Sequence, residues 1–255
     1  MANFFQFGQM AASPPLPTRP RQDFPCADAR CVMPDKMIEP SHDLMLRVRE
    51  AFLTHGYENL TMVQLADDCK FTRRALYHYF NSKESAYRAV IRHFNAVAVT
   101  AGLEAGQAAR RAGGSALDVL ATTLDTRYGD TRRRLNGSPH IFDLNAEAFR
   151  RCRDIMIESA IAFHAELEEL IRELAADGLM ALQPGRTPAE LAQLLTDAAR
   201  GVNQTLPPIA TEDYAARYRQ IVEAILFGAA VPAAAAAREP APGRTERPRT
   251  RRAGG

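Results

Sequence analysis

The sequence predicts an all-α protein. Apolar residues recur at helical spacing throughout residues 41–230, and Ser, Thr and Gly residues there mark helix starts and stops. No segment shows the apolar–polar alternation of a half-buried strand, and no Asn-Gly turn joins two such runs. Helices are therefore the only regular structure that we expect.

The composition is that of an ordinary globular chain. The 255 residues include 32 Lys and Arg against 30 Asp and Glu, a net charge of +2. This balance argues against a protein that coats DNA through its overall charge, but it leaves room for a local basic patch. No apolar run reaches the roughly 18–20 residues of a membrane helix, and the start shows no secretory signal, so we expect a cytoplasmic protein without a membrane partner.

The two ends differ from the middle of the chain. Residues 1–40 are rich in proline and show no helical or alternating pattern. Residues 231–255 combine an alanine run with a basic stretch rich in proline, arginine and glycine. We expect both to be disordered tails, because neither could bury enough apolar surface to offset the entropy of ordering.

Local signals place the first three helices. Ser41 is the expected N-cap of a helix that ends at Gly56, and Thr61 with Gln64 has the spacing of a capping box. Thr72 is the expected N-cap of a third, short helix. Two short helices joined by a tight turn are typical of a helix-turn-helix motif. Ser82 then caps a long helix over residues 83–110.

The outward face of the third helix is basic. Residues 69–83 contain Lys70, Arg73, Arg74 and Lys83 and no acidic residue. Arginine near the start of such a helix can donate to guanine, whereas hydroxyl groups and free backbone N–H groups suit phosphate oxygens. The alternative interpretation is a solvated polar face of a helical bundle, because charged faces of that kind are common.

These helices carry a wider pattern. The stretch AFLTHGYENLTMVQLADDCKFTRRALYHYFNSKESAYRAV, which ends at Val90, contains Gly56-Tyr57, Leu60-Thr61, Leu65-Ala66, Leu76-Tyr77-His78-Tyr79-Phe80 and Ser82-Lys83-Glu84. At this spacing it resembles the TetR/AcrR family of bacterial transcriptional regulators. The resemblance implies a helix-turn-helix DNA-binding domain over 41–95 and a helical ligand-binding and dimerisation domain over 96–230.

The resemblance also implies roles for single residues. The implied phosphate contacts are Thr61, Thr72, Tyr77 and Lys83, and the implied base-reading positions are Arg73, Arg74, Ala75, His78 and Tyr79. The sequence departs from the family at Lys70, where the turn often has glycine, and at Arg74, where a small residue is frequent. Lysine tolerates a positive φ less well than glycine does, so the turn is strained or differently shaped.

The second half has its own helix signals. Ser115 with Asp118 resembles a capping box. Ser138-Pro139 predicts the start of a long helix that reaches Asp177, with a stop at Gly178. Thr187-Pro188 with Glu190 and, later, Thr211 predict the starts of the last two helices.

The resemblance places a ligand pocket between the middle helices and a dimer interface on the last two. The expected pocket residues are Leu120, Leu124, Phe142, Phe149, Met156 and Phe163, with Arg127, His140, Asn145 and His164 as polar candidates. The expected interface residues are Leu191, Leu195, Ala198, Val202, Ile221 and Ile225, although these faces could instead close the core of a monomer.

No enzyme motif is evident. A phosphate-binding glycine loop, a zinc-protease helix and a nucleophile elbow are all missing, and the four cysteines lack zinc-site spacing. We therefore expect no catalytic residue, metal or cofactor. The resemblance to the TetR/AcrR family implies a homodimeric transcriptional regulator, and on family grounds a repressor, that binds a palindromic double-stranded DNA operator and a small molecule. The alternative is a helical interaction module without specific DNA binding.

Overall fold

A computed structural model describes residues 39–229 of the chain. Its α-helices are α1 (His42–Asn59), α2 (Met62–Asp68), α3 (Arg73–Tyr77), α4 (Lys83–Arg111), α5 (Ala116–Leu124), α6 (Asp130–Leu135), α7 (Ile141–Arg151), α8 (Arg153–Ala176), α9 (Pro188–Val202) and α10 (Tyr214–Phe227). A π-helical turn, Asp125–Gly129, joins α5 to α6, and a short 3-10 turn, Thr211–Asp213, precedes α10. The described range holds no strand, so the predicted all-α class is confirmed. Apart from residues 39 and 40, the predicted tails lie outside this range.

The predicted helix starts are largely confirmed. Ser41, Thr61, Thr72, Ser82 and Thr187 each accept a hydrogen bond from a backbone N–H three residues ahead. Thr61 and Thr187 also form the complete capping box that the sequence predicts. These bonds satisfy backbone donors that a helix start otherwise leaves unpaired.

The region after α5 differs from the prediction. Ser138 does not cap a helix: its hydroxyl donates to the backbone oxygen of Leu53 (2.6 Å), and α7 begins only at Ile141. The predicted continuous helix to Asp177 is interrupted at Cys152, whose φ of −125° and ψ of 22° are not helical. The sequence analysis also did not predict the π-helical turn or α6. Tertiary contacts at both places override an otherwise continuous apolar pattern.

The helices enclose two hydrophobic cores. The N-terminal core joins α1–α3 and the first part of α4 to residues of α7 and α8, namely Leu144, Ala148, Cys152 and Ile155. The C-terminal core is formed by α5, the later part of α8, α9 and α10. The predicted boundary at residues 95 and 96 falls inside α4, which continues from the N-terminal core into contacts with α5 and the π-helical turn.

Close packing of α4 depends on two glycines. A Cβ atom at Gly102 would lie 2.9 Å from the backbone oxygen of Thr123 and 2.9 Å from Cβ of Arg127. A Cβ at Gly106 would collide with the hydroxyl oxygen of Thr123. Only glycine leaves room for α5 and the π-helical turn at this distance.

Candidate nucleic-acid interface

The turn between α2 and α3 sets the angle of the two helices. Lys70 adopts a left-handed conformation with φ of 60°, and the N–H of Phe71 donates to the oxygen of Ala66 (2.9 Å). This bond closes α2 in the manner of a Schellman cap. Leu65 and Leu76 are fully buried in the N-terminal core and thereby fix α2 and α3 against it. Lys70, where the sequence departs from the family pattern, is therefore a strained residue in a turn of the expected shape.

The face of α3 that points away from the core is basic and open. Arg73, Arg74 and His78 are exposed, and 42% of Tyr77 is accessible. Within residues 39–229 neither arginine forms an ion pair, whereas Arg88 is paired with Asp154. The guanidinium groups of α3 are consequently available to a partner outside the chain.

The hydroxyl groups beside α3 are partly used by the fold. Thr72 accepts a hydrogen bond from the N–H of Ala75 (3.2 Å) and keeps its own proton free to donate. The Thr61 hydroxyl accepts from the N–H of Gln64 (3.2 Å) and lies 2.9 Å from the Gln64 side-chain oxygen. Both threonines are exposed at helix starts, where backbone N–H groups favour an anion.

Lys83 has a structural role that the sequence did not predict. Its ammonium group donates to the backbone oxygens of Tyr57 (2.7 Å) and Glu58 (3.1 Å) and lies 4.6 Å from the centre of the Tyr57 ring. The start of α4 is thus tied to the end of α1. One N–H of the ammonium group remains for a phosphate contact.

Tyr79 does not point outward as a base-reading residue would. Its ring packs against the N-terminal core and lies edge-on to Phe71, with ring centres 5.8 Å apart. The helical part of α3 ends at Tyr77, and this turn directs Tyr79 inward. Ala75 is half-buried, so it offers only a small apolar contact.

Helix α4 is hydrogen-bonded to α7 and α8. The Tyr87 hydroxyl, which is buried, donates to the backbone oxygen of Leu144 (2.6 Å), and burial raises the pKa of Tyr87 above its ordinary value. Arg88 donates to Asp154 (3.0 Å), a hydrogen bond that lowers the pKa of Asp154 to about 2. These contacts join residues far apart in sequence, and no local pattern could have revealed them.

The predicted ligand-pocket residues do not lie together. Leu120, Leu124 and Phe163 are fully buried in the C-terminal core, but Met156 packs against the N-terminal core. Phe142 is 75% exposed and Phe149 is 54% exposed, so the prediction that they line an enclosed pocket is wrong. The other side of α7 packs on α1, which turns both phenylalanines outward.

Half of the predicted dimer residues face inward. Leu191, Leu195 and Val202 are buried in the C-terminal core of their own chain, so the prediction that they meet a second chain is wrong. Their face of α9 is the one that packs against α8 and α10. Ala198, Ile221 and Ile225 are partly exposed and remain candidates, and Leu194 is 49% exposed.

Two kinds of feature are absent from the described part of the chain. None of its helices is both long and apolar enough to cross a membrane. Among residues 39–229, no cluster of three or more His, Cys, Asp or Glu side chains could hold a metal ion.

The helix-turn-helix part of the chain matches a known family. Residues 48–90, which cover the later part of α1 through the first part of α4, match the model of the bacterial regulatory proteins of the tetR family. Over these residues the chain is similar to that family. No curated protein matches the chain by sequence.

Solved structures of transcriptional regulators share the fold of this chain. The TetR-family regulator PfmR of Thermus thermophilus is 17% identical with a TM-score of 0.51, covering 75% of this chain and 100% of PfmR. FadR of Bacillus subtilis, solved in complex with stearoyl-CoA, is 14% identical with a TM-score of 0.53, covering 73% and 97%. The fatty acid degradation regulator FadR of Bacillus halodurans is 13% identical with a TM-score of 0.54, covering 73% and 94%. At these identities the likeness concerns the fold.

Proposed function

We propose that this chain is a cytoplasmic, homodimeric transcriptional repressor that binds a palindromic DNA operator and leaves it when a small molecule binds. The DNA-binding part of this proposal is supported by the outward face of α3. Arg73 and Arg74 are exposed there with no acidic partner in the described chain, next to a helix start that favours anions.

In this proposal α3 lies in the major groove. Arg73 and Arg74 donate to guanine edges, and Ala75 and His78 contact neighbouring bases. The backbone contacts come from Thr61, Thr72, Tyr77 and Lys83, which set the register of the helix on the duplex without reading sequence.

The proposed signal passes through α4 and α7. Helix α4 belongs to both cores, and Tyr87 and Arg88 on it are bonded to Leu144 and Asp154. A ligand that changes the position of α7 or α8 would therefore move the DNA-binding helices of both protomers. A change in their separation lowers affinity for an operator whose half-sites lie one helical turn apart.

The proposed ligand domain is the C-terminal core. Leu120, Leu124 and Phe163 would face the ligand after a local rearrangement, and Phe142 and Phe149 would not. FadR of Bacillus subtilis, which was solved with stearoyl-CoA, supports a small-molecule role for this part of the fold. An apolar lining of this kind suits a molecule with an apolar body.

The proposed dimer interface uses the outward faces of α9 and α10. Ala198, Ile221 and Ile225 are only partly buried in the single chain, and Leu194 lies one turn before Ala198. Joining two copies through these faces would bury apolar surface that a monomer exposes to water. Dimerisation would also give the paired half-site reading that a palindromic operator requires.

The decisive experiment selects binding sequences for the full chain from random duplex DNA. We expect a palindromic motif that the Arg73→Ala/Arg74→Ala variant no longer enriches. Loss of one base-reading arginine should weaken specific binding by about 1–3 kcal/mol. Arg172→Ala is the matched control, because Arg172 is an exposed arginine of α8 paired with Glu169 (2.9 Å).

The outcomes separate the two function classes. Enrichment of the same motif by wild type and the double variant would show that α3 does not read the bases. Absence of any motif would favour the helical interaction module. Lys83→Ala is a poorer test, since it also removes the two bonds that tie α4 to α1.

Repression needs its own measurement. With the selected operator placed inside a promoter, expression of the chain should lower reporter output, and the double variant should restore it. Higher output in the presence of wild type would identify an activator instead.

A further inference from the structure

A buried arginine in the C-terminal half has no acidic partner among residues 39–229. Arg127 lies on the π-helical turn and is only 8% exposed. Its Cβ is close to Gly102, and its Nη2 donates to the side-chain oxygen of Asn95 (3.1 Å), so the side chain runs along α4 toward the N-terminal core. π-helical turns interrupt α-helices most often at functional sites.

The surroundings of this guanidinium group are neutral or positive. It lies over the rings of Tyr128 (4.9 Å) and Phe163 (5.8 Å), and its buried Nε has no hydrogen-bond partner in the described structure. Burial is the largest influence on the pKa of Arg127 and lowers it. A buried cation without a counter-charge is unfavourable for folding, so its presence calls for a reason.

The acidic residue that is nearest in sequence is already engaged. Asp125, two residues before Arg127 on the same turn, accepts two hydrogen bonds from Arg133 (3.0 and 2.9 Å). Arg133 also donates to Asp130 (2.7 Å). Within residues 39–229, Arg133 therefore has two carboxylate partners, whereas Arg127 has none.

A second polar group, on α8, also lacks a partner. The hydroxyl oxygen of Ser159 is buried without a hydrogen-bond partner in the described chain. Ser159 precedes Phe163 by four residues, so the two side chains lie on the same side of α8. The Phe163 ring is the one whose centre lies 5.8 Å from the guanidinium carbon of Arg127.

We propose that Arg127, with Ser159 and Asn95, forms the binding site for the carboxylate group of an apolar organic acid, which is the small-molecule signal of the proposed repressor. This inference rests on the proposed function for its biological meaning. The carboxylate accepts from Nε of Arg127 and from the Ser159 hydroxyl, and the apolar body of the acid lies among the rings of Tyr128 and Phe163.

Charge balance selects a carboxylate over a phosphate monoester. A single guanidinium charge is neutralised by one carboxylate charge. A phosphate monoester carries close to two negative charges at neutral pH and would leave one of them uncompensated in a buried site. The aromatic rings favour the apolar remainder of the molecule and offer it no further charged partner.

Thermal unfolding and calorimetry of the full chain without DNA test the site. The probes are octanoate and 3-phenylpropionate, their neutral primary amides, and phenyl phosphate. Both carboxylates should raise the Tm of wild type in a concentration-dependent way, and the amides should not. A Tm rise with phenyl phosphate alone, equal rises with acids and amides, or no rise with any probe would each overturn the proposal.

Two variants and a matched control locate the binding. Arg127→Met should weaken carboxylate binding by at least about tenfold while keeping or raising the Tm of the free protein. Asn95→Asp places a counter-charge beside Arg127 without removing packing and should also abolish the carboxylate response. Arg133→Met breaks two ion pairs, so it should lower Tm but preserve the response. Full carboxylate binding by Arg127→Met and Asn95→Asp would refute the site.

The two proposals fail separately. If the carboxylates bind but no DNA motif is enriched, the binding site is supported and the repressor function is refuted. If a motif is enriched but no carboxylate binds, only the inference about Arg127 is refuted.

Discussion

Replacing Lys70 tests the strained turn that orients the DNA-binding helix. Lys70 has a φ of 60°, a conformation that places the Cβ of an L-residue too close to the following carbonyl oxygen at a cost of roughly 1–2 kcal/mol. Glycine removes this clash but loses about 0.5–1 kcal/mol through the greater freedom of the unfolded chain. Lys70→Gly should therefore raise the free energy of unfolding by about 0.5–1 kcal/mol.

Two further substitutions isolate the cause. Lys70→Ala removes the same charge and keeps the strain, so its free energy of unfolding should stay close to that of wild type. Lys70→Asn should gain stability, because asparagine tolerates the left-handed region. In thermal unfolding the gain for glycine corresponds to about 1–4 °C in Tm. Equal Tm values for the glycine and alanine variants would show that the strain at Lys70 does not exceed the cost of glycine's greater freedom in the unfolded chain.

The same variants report on DNA. Lys70 is exposed at the edge of the basic face. Removing this positive charge should lower the slope of log affinity against log salt by up to about one, equally for glycine and alanine. The variants thereby separate two effects. The change in stability depends on how well each residue tolerates a positive φ, whereas the change in salt dependence depends only on the loss of the lysine charge.

Two further predictions concern stability. Gly102→Ala should lower the free energy of unfolding by about 1 kcal/mol, since its Cβ would lie 2.9 Å from a backbone oxygen of α5 and overpacking outweighs the gain in helix propensity. At Gly201 an added Cβ would meet no atom of the described structure within 4 Å, so Gly201→Ala should raise the free energy of unfolding by up to about 1 kcal/mol. Equal changes for the two variants in urea unfolding would contradict the packing argument. Hydrogen bonds from Ser115 and then Arg219 lower the pKa of Asp118 from 3.8 to about 2, so its stabilising contribution is present above about pH 4 and is lost toward pH 2. Between pH 4 and pH 2 the Tm of Asp118→Asn should fall less than the Tm of wild type. Equal falls in the two proteins would show that ionised Asp118 does not stabilise the fold.

Local signals were sufficient for the first half of the described chain. The N-caps at Ser41, Thr61, Thr72 and Ser82 each depend on atoms within four residues, so the sequence could reveal them. The same holds for Lys70, whose departure from the family pattern indicated the strain that the structure has. The exposed basic face of α3 was predictable too, because the inward residues of so short a helix define its outward side.

Other parts of the site depended on contacts that no local pattern contains. Tyr79 follows the last helical residue of α3, and the turn there directs its ring to the core and away from the bases. Lys83 was predicted as a phosphate contact, but its bonds to the end of α1 join residues that are 26 and 25 positions apart. Helical periodicity gives the side of a helix that is apolar without identifying the surface that it meets.

The sequence by itself determined the helical class, the helix starts and the family of the DNA-binding region, because each depends on residues close together in the chain. Only the tertiary structure decided that Phe142 and Phe149 face outward, that Leu191 and Leu195 are buried, and that Arg127 is buried without an acidic partner. Each of these outcomes depends on which helix packs against which. That choice is made by the summed burial of residues distant in sequence.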